Sequence, residues 1–270
     1  MEPGMRELYS EILEYKGLKL YEEVLMPWVI ENEYQEYLLG YFSEITEAES
    51  LEISQDDKWE LYALSKVLDV LTLRLQVDNK VGGEWPGPEL SLSEYIDFNE
   101  LLGLSTGMPK TFHPSDCEIV EAQPGDDDFR VTKHFFPSSR LDNLIIKRAG
   151  VGITLSAQQY DLSIANSAVL YWASWRKNRK RKDLSDGWGS NSRWRTDARL
   201  DFEAEDRVIY NVGGELNLNS VTAELISELA KWDLTVEDAI ELTKFRHFVK
   251  STKDDSDLFP YYFRYEEKKY

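Results

Sequence analysis

The sequence predicts an α+β fold, with a helical N-terminal portion followed by a mixed portion that has a mostly antiparallel sheet and packed helices. Three observations predict it. Apolar residues recur at intervals of three and four through the first hundred positions. After residue 128 that spacing gives way to alternation in several short runs. Hydrophobic residues make up 42% of the 270, with 8 Trp, 15 Tyr and 11 Phe, enough to bury a sizeable core.

The helical stretches come first. Met5, Leu8, Ile12 and Tyr15 share one face of a helix, and Tyr34, Leu38, Tyr41 and Ile45 repeat the spacing. Pro27 is expected to end or kink the stretch between them. Leu61, Leu64, Leu68, Leu71 and Leu75 form the cleanest stripe, and Ser54 followed by Asp56 and Asp57 suits its N-terminus. "SLSE" at Ser91–Glu94 reads as a capping box, with Gly103 as the stop of a short helix. Strands are expected around Phe129–Phe136, Val151–Leu155, Val208–Val212 and Tyr261–Tyr265. A long helix is expected from Tyr160 to Trp175, and two more from Ser220 to Trp232 and from Thr235, a good N-cap, to about Val249. Two breaks, "VGGEWPGPEL" from Val81 and "EAQPGDDD" at Glu121–Asp128, suggest a helical subdomain over 1–80 and a linker and loop-rich connection over 81–128. An α+β subdomain over 129–270 follows, or all three form one continuous domain.

Charge is distributed unevenly. The formal net charge is −19, yet residues 129–199 carry 14 basic and 5 acidic groups, while residues 1–128 carry 8 basic and 29 acidic. The basic excess centres on "RKNRKRKDLSDGWGSNSRWR", Arg176–Arg195. A helix C-terminus attracts Lys and Arg, but that effect fades within one turn and does not account for six basic residues in seven positions. Long-range repulsion from the rest of the molecule opposes nucleic acid as the target. The segment is therefore expected to act as an internal clamp against the chain's own carboxylates. Within "DGWGSNSRWRTD", Arg193 and Arg195 should share one face and Trp194 the other, and Trp188 and Trp194 are both expected to be buried anchors of the loop.

Motifs for chemistry are sparse. Of three histidines, His113 and Cys117 are four apart, but Pro114 argues against a helix there; no CxxC, HxH or HExxH occurs, so no metal site is expected. No phosphate-cradling glycine motif and no nucleophile elbow occurs, and no cofactor is expected. One cysteine precludes an internal disulfide, no leader or membrane span is read, and a cytoplasmic location is expected.

Composition then points to an interaction protein. An acidic surface studded with Tyr suits a basic protein partner such as a toxin, most concretely as an immunity-type inhibitor of a bacterial nuclease toxin, because nucleases need basic surfaces. The stretch Glu31–Glu52 carries the expectation, through Glu31, Glu33, Tyr34, Glu36, Tyr37, Tyr41 and Glu44. A solvated helix face has the same composition. A second reading is an enzyme acting on a nucleotide or nucleic acid through the Asp186–Asp197 loop, with Trp188, Asn191, Arg193, Trp194, Arg195 and Asp197 of functional importance. There Arg193 and Arg195 would hold phosphate and Asp197 would act as base or metal ligand. A third is a scaffold subunit of a larger assembly.

Overall fold

The computed structural model describes residues 4–42, 53–77, 85–126, 129–186 and 193–269. Among the described residues, five α-helices lead the chain: α1 (Met5–Glu14), α2 (Met26–Glu31), α3 (Tyr34–Phe42), α4 (Gln55–Leu71) and α5 (Leu92–Leu101). Met5, Leu8, Tyr9 and Ile12 are the buried face of α1. In α4, Leu61, Leu64, Leu68 and Leu71 are buried as their spacing requires, each worth about 1.5–3 kcal/mol, whereas a capping serine is worth about 1 kcal/mol. The apolar face thus holds the helix, and Ser54, accepting a hydrogen bond from the Asp57 N–H, sets where it begins. Ser91 caps α5 in the expected box with Glu94, and Gly103 follows it at φ +78°. Pro27 does not end its helix. A π-helical turn, Tyr21–Leu25, runs straight into α2, so the helical backbone changes from π to α at the proline instead of stopping there.

Twelve strands follow among the described residues. A seven-stranded sheet has the order β1-β4-β5-β9-β10-β12-β11, built from β1 (Ser105–Gly107), β4 (Ser138–Leu141), β5 (Leu144–Lys147), β9 (Asp201–Glu203), β10 (Arg207–Tyr210), β12 (Phe263–Lys268) and β11 (Leu216–Asn217). It is antiparallel except for the β11–β12 pair. A smaller sheet places β6 (Ala149–Ser156) between β2 (Cys117–Gly125), which runs parallel to it, and β3 (Arg130–Phe136), which runs antiparallel. The strand pair β7 (Leu170–Tyr171) and β8 (Arg181–Lys182) is parallel. The fold is α+β, with helices mostly N-terminal.

Three features differ from expectation. The stretch 81–128, read as loop-rich connection, contains α5, β1 and all of β2. The long helix expected over Tyr160–Trp175 is only one short helix, α6 (Leu162–Ser167), capped by Asp161, after which the backbone becomes extended at β7. Tyr171 and Trp175 had matched a helical period, but Leu170 and Tyr171 are buried by strand pairing and by the core beside α7 (Ala223–Lys231) and α8 (Val236–Phe245). Finally, β6 does not alternate: it is buried nearly throughout, as its central place demands.

One apolar cluster joins α1 through α5 to Leu141, Leu144 and Ile146 of the large sheet and to Trp194 and Leu200. The helical layer is therefore seated on the sheet. No helix among the described residues is long and apolar enough to cross a membrane.

Candidate functional site: an acidic cleft

The cleft starts from a tight join between two helices. α2 ends at Asn32, whose side-chain amide donates to the Trp28 carbonyl at 2.8 Å, and Glu33 takes a left-handed φ of +48°. The chain then reverses into α3, and the Glu33 carbonyl accepts from the Glu36 and Tyr37 N–H groups. The turn presents Glu31, Glu33 and Glu36 outward while Tyr34 is buried. Facing them is the first part of α4, which supplies Asp56, Asp57 and Glu60 where a helix N-terminus favours anions.

Together these enclose a concavity of about 590 Å³ lined by six carboxylates, two tyrosines, Asn32 and Gly4, with no lysine or arginine in its wall among the described residues. Tyr34 donates from its hydroxyl to Glu60 at 2.8 Å and Tyr37 to Asp57 at 2.7 Å, so the rings brace the two acidic elements against each other. Burial pushes the Glu60 carboxyl up, with Glu7 and Asp57 adding to the shift, and hydrogen bonds from Met5 N–H and Tyr34 only partly oppose it. The floor of the cleft is thus a carboxyl short of positive partners.

Of the residues expected here, Glu31, Glu33, Tyr34, Glu36 and Tyr37 meet in this one cleft. The Tyr41 side chain and Glu44 lie outside the described residues. Asp56, Asp57 and Glu60 were missed as members. Their signal, two aspartates after Ser54, was legible only as a helix start.

The basic segment turns inward. The helix before it, α6, ends at Ser167 and β7 intervenes, so the helix-terminus explanation falls away. Its first residues lie along β2 as a strap. Arg176 grips Glu118 with two hydrogen bonds of 2.6 and 2.7 Å and reaches Asp69 of α4 at 2.9 Å. Asn178 donates to the Val120 carbonyl, and Arg179 to those of Ile119 and Ala165. Lys147 also pairs with Asp69. Burial raises the Asp69 and Glu118 carboxyls, but the Arg176 and Lys147 charges outweigh it and hold both below the ordinary range. Farther along, Arg181 meets Asp186 at 3.1 Å and Lys182 meets Asp257 at 3.7 Å. The clamp expected from the charge pattern is therefore present, and its carboxylates were hidden inside apolar runs, Asp69 within "VLDVL" and Glu118 beside Cys117 and Ile119.

The loop after it divides as predicted. Trp194 is 8% exposed, edge-on to Tyr9 with centroids 5.2 Å apart, while Arg193 and Arg195 are exposed, the Arg193 guanidinium lying 5.5 Å from the Trp194 ring centre. Lys66 and Arg6 lie within 6 Å of the Trp194 ring centre, which ties the loop to α1 and α4. Trp188 and Asn191 lie outside the described residues. Arg195 stacks 5.6 Å from the Trp59 ring, and Asp197 accepts from Gln55 and approaches Lys58 at 3.9 Å. Cys117 is buried and its thiol is pushed up by burial, while His134 bonds the Pro109 carbonyl. No group of three or more metal-ligating side chains converges among the described residues.

Comparison with known proteins finds no matching family model, no matching curated protein and no matching solved structure.

Proposed function

We propose that this chain binds and neutralises a basic protein partner through the acidic cleft between α2–α3 and the start of α4, most concretely as an immunity-type inhibitor of a nuclease toxin. The observation that carries the reading is the wall itself: six carboxylates and two tyrosines, with no lysine or arginine lining it among the described residues. The basic residues of Arg176–Lys182 nearest the core are engaged inside the molecule, so they do not neutralise that wall. Tyr37, 37% exposed, and Ile30, 61% exposed and next to Glu31 in the chain, supply the rigid apolar contacts that anchor an interface whose charges mainly steer and orient. A nuclease presents the complementary surface because it must hold phosphates.

The test is a titration of the purified chain into assays of basic toxin-nuclease domains, with co-expression as a check on cell protection. The reading expects stoichiometric inhibition of a nuclease by the native chain, and its loss in a Glu31→Gln, Glu33→Gln, Glu36→Gln variant. Undiminished inhibition by that variant, or no inhibition of any such domain, contradicts it.

A further inference from the structure

A second concavity lies on the other flank of the first turn of α4, where Lys58 rather than Asp56 and Asp57 forms the wall. Its volume is about 490 Å³, within the range of small-molecule sites. Four aromatic side chains border it, Trp172, Phe259, Tyr261 and Tyr262, along with Arg195 and Arg199. The rings pack edge-on rather than face to face: Trp172 and Tyr261 have centroids 5.2 Å apart at 73°, and Phe259 and Tyr261 4.6 Å apart at 68°. Tyr262 remains 46% exposed. Trp172 takes φ +55°, a strained conformation for a bulky residue and one that clusters at binding sites.

Beneath these rings lies an excess of positive charge. Arg199 has a side chain only 3% exposed, stacked 4.2 Å from the Trp172 ring centre. Its Nε donates to Asp201 at 2.7 Å and its Nη2 to the Thr243 carbonyl at 2.5 Å, while its Nη1 is buried without a hydrogen-bond partner. The same Asp201 carboxylate also takes Arg148 at 2.9 Å and Arg246 at 3.0 Å. Among the described residues none of the three guanidinium groups has a second carboxylate within ion-pair reach. Three buried cations on one anion are expensive to hold without a further counter-charge. The Tyr261 hydroxyl, on the same wall, is likewise buried without a partner. Two carboxylates also line the wall: Asp197, which Gln55 and Lys58 already engage, and Glu215.

We infer that this cleft binds a small organic anion bearing one planar aromatic ring system, the ring system laid against Trp172 and Tyr262 and the carboxylate or phosphate held by Arg199 and Arg195. The apolar rings supply area and orientation, and the anion supplies the charge that Asp201 alone leaves unmatched. The inference is independent of the acidic cleft: a chain that fails to bind a basic protein can still bind this ligand, and the reverse.

Calorimetric titration of the full chain tests it with four probes. Phenylacetate and adenosine monophosphate carry ring and charge, inorganic phosphate carries charge alone, and adenosine carries a ring alone. The expected result is binding of a ring-bearing anion, with the carboxylate and phosphate arms deciding which head group fits, and affinity at least about tenfold weaker for inorganic phosphate and for adenosine. Tyr262→Ala and Arg195→Gln, both at exposed side chains, should each weaken binding about tenfold without changing the melting temperature. Arg199→Lys keeps the charge but removes the planar fork and should abolish binding; should that variant not fold, the other two decide. Failure of both ring-bearing anions to bind, equal binding of inorganic phosphate or of adenosine, or unaltered affinity in Tyr262→Ala and Arg195→Gln overturns the inference.

Discussion

Removing Arg176 leaves Asp69 and Glu118 buried without their shared guanidinium. An uncompensated buried carboxylate is worth far more than a lost surface pair, so Arg176→Ala should cost about 3–5 kcal/mol, read by urea denaturation at neutral pH. The sign of the pH dependence follows from the direction of the shifts. Both carboxyls are held below their ordinary range in the folded chain. Their contribution is complete above the unfolded value, near pH 4, and is lost as pH falls through the folded values. The native chain should therefore lose stability on acidification below about pH 4, and Arg176→Ala should lose less over the same window. A variant whose stability tracks the native chain at every pH would remove Arg176 from the clamp. Trp194 makes a parallel case by packing alone. Trp194→Ala should destabilise by about 3–5 kcal/mol in the same assay, because the buried ring packs on Tyr9 of α1 within the core cluster that also holds α4. A cost near zero would mean that the loop is not anchored there.

Among the elements, legibility followed period and caps. α4, α5 and α8 were readable because an apolar stripe agreed with a capping residue, and Ser54, Ser91 and Thr235 each accept the predicted backbone hydrogen bond. The stretch from Tyr160 to Trp175 was misread because its aromatic spacing fits a helix while its burial comes from strand pairing and a neighbouring core, which a local pattern cannot register. The acidic cleft was half legible: the α2–α3 carboxylates are close in sequence, but Asp56, Asp57 and Glu60 join them only through the packing of α4. The Asp201 cluster was not legible at all, since Arg148, Arg199 and Arg246 are scattered over about a hundred positions. Strand β6 offers a test at this scale. A Cβ on Gly150 would lie 2.3 Å from the fully buried Phe136 ring of the neighbouring strand. Gly150→Ala should cost about 1–3 kcal/mol by overpacking, seen as a lower thermal midpoint. An unchanged midpoint would mean that the β3–β6 pairing is looser than the packing implies.

Over the whole molecule, the basic segment no longer counts as an outward-facing patch. Its inner residues hold the helical layer to β2, and the field that a partner meets is dominated by the remaining acidic groups. Nucleic acid should accordingly not bind at physiological salt. A fluorescence anisotropy titration with labelled single-stranded and duplex DNA should stay flat, whereas a true phosphate-gripping surface would show affinity that falls by roughly 10³–10⁵ between 50 and 200 mM salt. Tight, salt-sensitive binding would turn the account toward the Arg193–Asp197 loop.

The central claim is that position, not total charge, makes the acidic cleft a binding surface, and a matched-charge comparison tests it most directly. The probe is a labelled amphipathic peptide with lysine and arginine on one helical face and leucine and tryptophan on the other, titrated by anisotropy at about 150 mM salt, where distant charges are screened. One variant carries Glu31→Gln, Glu33→Gln and Glu36→Gln in the cleft; the other carries Glu205→Gln, Glu224→Gln and Glu237→Gln, three exposed carboxylates elsewhere on the chain. Both lose the same three charges. The account predicts that the cleft variant weakens binding by about tenfold or more while the control stays within about twofold of the native chain; equal losses in the two variants would contradict it.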